Sequence, residues 1–453
     1  MRIEAAHNVF LIGIGGIGMS ALARYFYKQG ARVQGYDKTP SPITEALQAE
    51  GISVFFEDDL SQYPSQVDLV IYTPAIPADH LGLNWYREQG FNVYKRSEIL
   101  EELTKTKETI AVAGTHGKTS ITALLAHVLN ASDKPATAFI GGVANNFRSN
   151  FVYRESDRVV VEADEFDRSF LRLHPHIAVI SALDPDHLDI YGSLEELTAN
   201  FFAFTKQVSR EGCLILQAQL PLVAKVDHPK VFTYGIDTPA DFVAENIRVE
   251  EGHFLFDLDI QGDSYGTFRL AFPGYHNVEN ALAALAVGYV LEANMEAMRA
   301  ALASFSGIRR RFEKVYVGKE VVYIDDYAHH PKEIEALIRS VRRLYPGRFI
   351  TAIFQPHLYT RTRDLAEGFA NALTAADEVI LLPIYPAREV SLPGVESGLI
   401  ARKIKEKPVQ VIEKSDLLDT LASRPRDIIL TIGAGDIDRL VQPIHEWLKN
   451  TAA

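Results

Sequence analysis

The chain has 453 residues, room for roughly three domains at about 150 residues each. Its 46 basic and 59 acidic residues leave a net charge of −13, which excludes a protein that holds nucleic acid or anionic membrane by bulk attraction. One cysteine, Cys213, excludes a disulfide framework, and 47% hydrophobic with 23% charged content, ordinary globular values, argues against a disordered chain.

The N-terminal stretch enters a strand pattern at once, with Glu4 and His7 where a signal peptide would carry its apolar core. No run reaches the roughly 18 apolar residues of a membrane span. Both observations predict a soluble chain of the cytoplasm. Short apolar runs at 9–14, 69–72, 110–113, 159–162, 177–181, 321–324, 349–354, 379–382 and 428–432 predict strands. Amphipathic stretches at 19–29, 120–130 and 332–344 predict helices between them, and the alternation predicts α/β architecture with largely parallel sheets. Three blocks follow: 1–107, 108–312 and 313–453. Within the second, residues 242–272 alternate apolar and polar around turns at Glu251-Gly252 and Gly262-Asp263, which predicts a small antiparallel insertion.

Gly13-Ile14-Gly15-Gly16-Ile17-Gly18 matches G-x-G-x-x-G between a strand and a helix. Glycine there permits positive φ and lets the backbone approach a diphosphate at the helix N-terminus. Asp37 follows the next strand-like run, as in the dinucleotide fingerprint. The motif suits a dinucleotide or a UDP-sugar equally, and a tight turn without a ligand is the bland alternative. Gly114-Thr115-His116-Gly117-Lys118-Thr119-Ser120 reads as a variant phosphate-binding loop, with a glycine-rich helix start and a solvated lysine as the bland alternative. Its amides suit phosphates, Lys118 the β/γ-phosphates and the Thr119 hydroxyl a Mg²⁺ ion, although Val112 stands where the general pattern has glycine.

The run Val159-Val160-Val161-Glu162-Ala163-Asp164-Glu165 ends in carboxylates at a strand terminus, where an α/β sheet opens its ligand crevice, although a solvated loop is the bland alternative for Asp164, Glu165 and Asp167. His187, in Asp184-Pro185-Asp186-His187, is a candidate imidazole ligand or a solvated histidine. His276, Asn277 and Asn280 precede an apolar helix at 281–291, where Asn277 is a helix cap or a nucleotide contact. Arg309-Arg310-Arg311 suits a polyphosphate or solvent. Asp325-Asp326-Tyr327-Ala328-His329-His330-Pro331 and Gln355-Pro356-His357-Leu358-Tyr359-Thr360-Arg361 are polar clusters after strands, the second with a guanidinium for a carboxylate.

Together, Gly-Thr-His-Gly-Lys-Thr, Glu-Ala-Asp-Glu, Asp-His, His-Asn-x-x-Asn, Arg-Arg-Phe and Asp-Asp-Tyr-x-His-His-Pro resemble the Mur ligase family over nearly the whole chain. The resemblance implies a Rossmann-like N-terminal domain for a UDP-sugar, a P-loop ATPase-like central domain for ATP, and a Rossmann-like C-terminal domain for an amino acid. It implies an ATP-dependent, amide-forming ligase of peptidoglycan synthesis with ATP and Mg²⁺ as cofactors. The opening GIGGIGMS resembles the member that joins L-alanine to UDP-N-acetylmuramate through an acyl phosphate, as a monomer or homodimer without nucleic acid or membrane partners.

Residue by residue, the resemblance implies that Gly13, Gly15, Gly16, Ile17, Gly18, Met19, Ser20 and Asp37 hold the sugar nucleotide. Gly114, Thr115, His116, Gly117, Lys118, Thr119 and Ser120 hold ATP, with His276, Asn277 and Asn280 on the adenine side. Thr119 and Glu162 take one metal ion and His187 a second. Arg311 and Asp326 approach ATP when the C-terminal domain closes, and Tyr327, His329 and Arg361 line the amino-acid pocket. Leu358 stands where some members carry arginine. His187 and His329 are candidate bases for the amine, with loss of the proton to bulk water before binding as the bland alternative, and His329 is expected to orient alanine. Other readings are the tripeptide-recycling ligase of the same family, an NAD-dependent oxidoreductase using only the first glycine turn, and a non-catalytic nucleotide-binding regulator.

Overall fold

The computed structural model describes residues 3–165, 168–184, 191, 193–387, 389–405, 407–424 and 427–451. It contains three sheets. The first runs β3-β2-β1-β4-β5, all parallel, from β1 (Asn8–Ile12), β2 (Arg32–Tyr36), β3 (Ser53–Phe55), β4 (Leu69–Tyr72) and β5 (Val93–Lys95). The glycine turn leaves the central strand β1 into α1 (Ile17–Lys28). The ends of β1, β2, β4 and β5 therefore share one rim, at the point where the strand order reverses and α/β sheets open a crevice.

The second sheet has ten strands in the order β15-β14-β13-β12-β11-β10-β6-β9-β7-β8. Its centre is β6 (Glu108–Ala113), flanked by β9 (Arg158–Glu162) and β10 (Ile177–Ile180) in parallel register. These strands are continuous apolar runs because helices cover both faces. Helix α5 (Lys118–Ala131) packs there with Ile121, Leu124, Leu125, Val128 and Leu129 fully buried. One edge is the antiparallel hairpin β7 (Thr137–Ala144) and β8 (Ser149–Val152). Beyond β11 (Cys213–Gln217) and β12 (Val231–Ile236), the other edge is β13 (Phe242–Glu250), β14 (His253–Ile260) and β15 (Asp263–Leu270). Two-residue turns with positive φ at Glu251, Gly252, Gln261 and Gly262 join these last three strands and reverse the chain. The antiparallel insertion is thus present, with its second turn one residue earlier than expected.

The third sheet runs β16-β17-β21-β18-β19-β20, from β16 (Glu313–Val317), β17 (Val322–Asp326), β18 (Ile350–Phe354), β19 (Glu378–Leu381), β20 (Val409–Val411) and β21 (Ile428–Ile432). Only the edge strand β16 is antiparallel. The helix Pro331–Leu344 follows β17 and buries Ile334, Leu337, Ile338, Val341 and Leu344 on one stripe. By internal packing the chain divides into two compact units, one of 1–247, 255–270 and 278–306, the other of 248–254, 271–277 and 307–453. No described helix is long and apolar enough to cross a membrane.

Candidate active site

In the first unit the ends of β6, β9 and β10 meet. The loop after β6 turns through Gly114 at φ +137° and Gly117 at φ +85°, backbone regions that side-chain-bearing residues rarely adopt. A methyl group on Gly117 would lie 2.8 Å from Asn280 Oδ1, which places Asn280 against this loop. Thr115 donates its amide to Ala182 O at 3.1 Å, Ser181 Oγ donates to His116 O, and His116 Nε2 lies 3.6 Å from Asp184. These bonds tie the loop to the segment after β10.

Lys118 opens α5. Its ammonium donates to Gly114 O at 2.7 Å and to both oxygens of Glu165 at 2.8 Å. Burial opposes that charge, but Glu165 and then Asp164 outweigh it, and the Lys118 pKa is raised. Thr119 Oγ1 donates to Glu162 Oε2 at 3.2 Å, and the amide of Gly141 on β7 donates to Glu162 Oε1 at 2.5 Å. The Glu162 carboxyl is nevertheless pushed up, by burial first and also by Asp164. A hydroxyl and a carboxylate whose charge is under-compensated fit a hard divalent cation. Among the described residues no group of three or more His, Cys, Asp or Glu side chains is gathered to hold a metal. His187 lies outside the described residues.

A cavity of about 340 Å³ extends from this carboxylate to the first glycine turn. Gly16, Ile17, Gly18, Met19, Thr73 and Arg96 line one end, and Gly141, Glu162 and Asp164 the other. Helix α1 has no acidic residue in its first turn and no side-chain cap, so its leading amides are available to an anion. Asp37 turns its carboxylate onto the loop itself, accepting from Gly15 N at 2.8 Å. Gly13 bends the chain at φ +84° on its way to α1. Ser20 is fully buried, its hydroxyl donating to Ile17 O.

Sequence reasoning missed Arg96. It opens α4 (Arg96–Thr106) at the end of β5, and a methyl group on Gly18 would lie 2.6 Å from its guanidinium. The signal was available: a basic residue ending a strand of the same sheet faces the same rim as the glycine turn. Glu165 was noted only as part of a carboxylate run, and nothing local singled it out as the partner of Lys118.

The second unit gathers most of the remaining candidates at the end of β17. Asp326 accepts from Phe312 N at 2.6 Å and Ala328 N at 2.7 Å, and burial, opposed by Arg311, pushes its carboxyl up to about 6. Arg311 lies over the Tyr327 ring at 5.2 Å. Tyr327 meets His329 edge to face at 5.5 Å. His329 is held by Glu333, which accepts the amides of His329 and His330 at the start of the helix Pro331–Leu344. His329 Nδ1 lies 3.1 Å from Tyr327 O. A carbonyl only accepts, so Nδ1 carries the proton and Nε2 presents a lone pair. Burial, opposed by Glu333 and helped by Arg361 and Arg311, lowers the His329 pKa, which favours the neutral ring.

Arg361 sits in the first turn of the helix Tyr359–Leu373, just after Leu358, whose φ of +70° is costly for a leucine. His276 is pushed down to about 4 by burial and by Arg311. The helix that carries it begins at Tyr275, six residues earlier than the expected 281. Asn277 is therefore inside the helix and does not cap it; its amide instead donates to Pro273 O at 2.6 Å. Arg310, which the sequence left inside a charge run, is paired with the fully buried Asp325 at 3.1 Å and donates to Gly433 O at 2.6 Å. With φ of +60° at Arg310 and +46° at Phe312, this pairing fixes the unusual path that presents Arg311.

Three family descriptions match the chain: "Mur ligase family, catalytic domain" over residues 8–108, "Mur ligase middle domain" over 112–288, and "Mur ligase, glutamate ligase domain" over 310–435. A UDP-N-acetylmuramate–L-alanine ligase from Porphyromonas gingivalis is 48% identical over 451 residues, covering 98% of this chain and 99% of the relative. The crystal structure of a UDP-N-acetylmuramate–alanine ligase from Thermotoga maritima superposes with a TM-score of 0.84 at 29% identity, covering 98% of this chain and 99% of that one. A murein peptide ligase from Psychrobacter arcticus shares the fold, with a TM-score of 0.69 at 24% identity and 98% coverage of both chains.

Proposed function

The chain belongs to the Mur ligase family, a three-domain α/β family, and on that premise we propose that it joins L-alanine to UDP-N-acetylmuramate at the expense of ATP, in peptidoglycan precursor synthesis. The observation that carries this reading is the cavity that brings the first turn of α1 and Glu162 into one space. A sugar nucleotide anchored by its diphosphate at Gly15–Gly18 and Arg96 then directs its acid toward the phosphate loop.

The chemistry accounts for the residue types. A carboxylate is a poor acyl donor, because oxide would have to leave. Its oxygen therefore attacks the γ-phosphorus of ATP, the bond to the β,γ-bridging oxygen breaks, and ADP and an acyl phosphate form. The alanine amine attacks the acyl carbon and phosphate leaves. No protein nucleophile is required, so catalysis is positioning and charge neutralisation.

Lys118 offsets charge on the transferring phosphoryl group, and Arg311 adds a second cation. Asp326 holds the backbone that carries Arg311. Mg²⁺, when bound by Thr119 and Glu162 with His187 for a second ion, lowers the repulsion between the two reacting anions. Gly114 to Ser120 cradle the phosphates, and His276, Asn277 and Asn280 serve the adenine side. Arg361 takes the alanine carboxylate, Tyr327 walls the pocket, and His329 Nε2 accepts the proton that the alanine ammonium must lose. Blocks 1–107, 108–312 and 313–453 serve sugar nucleotide, ATP and amino acid in turn.

The test is phosphate release from ATP with Mg²⁺ and UDP-N-acetylmuramate, with L-alanine, with the tripeptide, or with neither. Release that needs L-alanine supports the proposal. Preference for the tripeptide assigns the recycling reaction instead, and release with neither acceptor refutes both.

A further inference from the structure

Helix α1 is seated on the β7–β8 hairpin. Tyr25 packs against Phe139 of β7 at 5.6 Å and Phe151 of β8 at 6.4 Å. Beside this aromatic seat lies a buried polar junction. Asn150 of β8, 1% exposed, donates from Nδ2 to Ile17 O at 2.5 Å and to Ser20 Oγ at 3.0 Å. Its Oδ1 accepts from Arg24 at 2.6 Å, and Arg24 also grips Glu50 through Nε and its second terminal nitrogen. Asn150 thus bonds the turn of α1 whose leading amides face the cavity. On the neighbouring strand, two residues from Phe139, Gly141 donates to Glu162 at 2.5 Å. One hairpin therefore holds the sugar-nucleotide anchor at one point and the phosphate-side carboxylate at another.

We propose that the β7–β8 hairpin sets the separation between the two reacting anions, and that Asn150 is the positioning residue through which it does so. The inference rests on the ligase reading above and names the element that aligns its two substrates. Burying an asparagine and an arginine here is costly unless both are fully bonded, and an apolar contact would seat the helix as well. What the polar junction adds is direction: the amide fork fixes rotation and slide of α1 on the hairpin, which apolar packing leaves soft. A misplacement of about 1 Å between reacting groups costs on the order of 100-fold in rate.

The test is Asn150→Asp. The carboxylate keeps the acceptor for Arg24 but loses both donations to α1. Steady-state kinetics with ATP, L-alanine and UDP-N-acetylmuramate, calorimetric binding of UDP-N-acetylmuramate alone, and thermal melting are measured on variant and wild type. Expected are a kcat lower by about 10- to 100-fold, a KM for ATP within about twofold, a sugar-nucleotide affinity that weakens less than kcat falls, and a lower melting temperature, because the buried carboxylate faces the Ile17 carbonyl oxygen with no proton to give it. Arg24→Lys keeps its charge beside Glu50 but cannot fork between Glu50 and Asn150, and should move kcat in the same direction by less. Unchanged kcat in both variants overturns the proposal. So does a fall in kcat matched by equal losses in both substrate affinities, which marks a merely structural junction. Wild-type protein that releases no alanine-dependent phosphate instead overturns the ligase reading, and the role given to the hairpin with it.

Discussion

Replacing Lys118 separates its structural from its catalytic part. The ammonium lies 2.8 Å from both oxygens of Glu165, with the lysine side chain 16% exposed and the glutamate 0%. Lys118→Met strands a buried carboxylate, which costs about 3–5 kcal/mol. At about 2–4 °C per kcal/mol for domains of this size, the melting temperature falls by roughly 6–20 °C. Glu165→Gln in the same chain removes the stranded charge and restores most of that loss. Turnover does not follow, because the charge on the transferring phosphoryl group still lacks its cation; losing one such donor costs about 100- to 1,000-fold in kcat. Differential scanning calorimetry and alanine-dependent phosphate release on wild type, single and double variants read both quantities. A single variant that melts with the wild type refutes the pairing. A double variant with wild-type turnover refutes the catalytic assignment.

Arg96→Ala removes a charge-assisted contact worth about 1.5–3 kcal/mol, so calorimetry should show UDP and UDP-N-acetylmuramate binding roughly 10- to 100-fold more weakly and uridine unchanged. Gly114→Ala forces φ away from +137° and puts a methyl group 2.9 Å from the Ala182 amide nitrogen; the KM for ATP should rise at least about tenfold, measured at saturating sugar nucleotide. Asp326, whose carboxyl is pushed up to about 6, should give kcat an acidic limb near that pH, and Asp326→Asn should lower the plateau and abolish the limb. The same shift has a stability sign. The folded chain keeps this proton above the unfolded pKa of about 4, so the group favours the folded state most below that pH and loses the contribution as pH rises through about 6. Melting from pH 4 to 7, compared with Asp326→Asn, checks it.

Legibility in the sequence followed the range of the interactions involved. Both glycine turns were visible because strand, turn and helix are neighbours along the chain, and the conformations they need at Gly13, Gly114 and Gly117 are ones glycine reaches freely. Glu162 was visible because a buried parallel strand that ends in a carboxylate points it at a crevice. Asn277 was not, because the start of its helix depends on how Tyr275 packs, and Phe254 and Arg343 meet that ring from distant parts of the chain. Arg310 was hidden in a charge run, since its partner Asp325 lies on the next block's second strand and becomes one only when β17 is buried.

The amino-acid order alone therefore determined the α/β class, the two phosphate-type turns, and the family to which their combination belongs, because each is written in periodicity or in contiguous motifs. Only the tertiary structure decided which charges are engaged and what lies across the cavity: Lys118 with Glu165, Asp326 with two amides, Arg96 beside Gly18, Asn150 beneath α1. The pairings within this set that join residues 47 and 133 positions apart come from folding, and a side chain's bonding state is fixed by what burial sets next to it rather than by what precedes it in the chain.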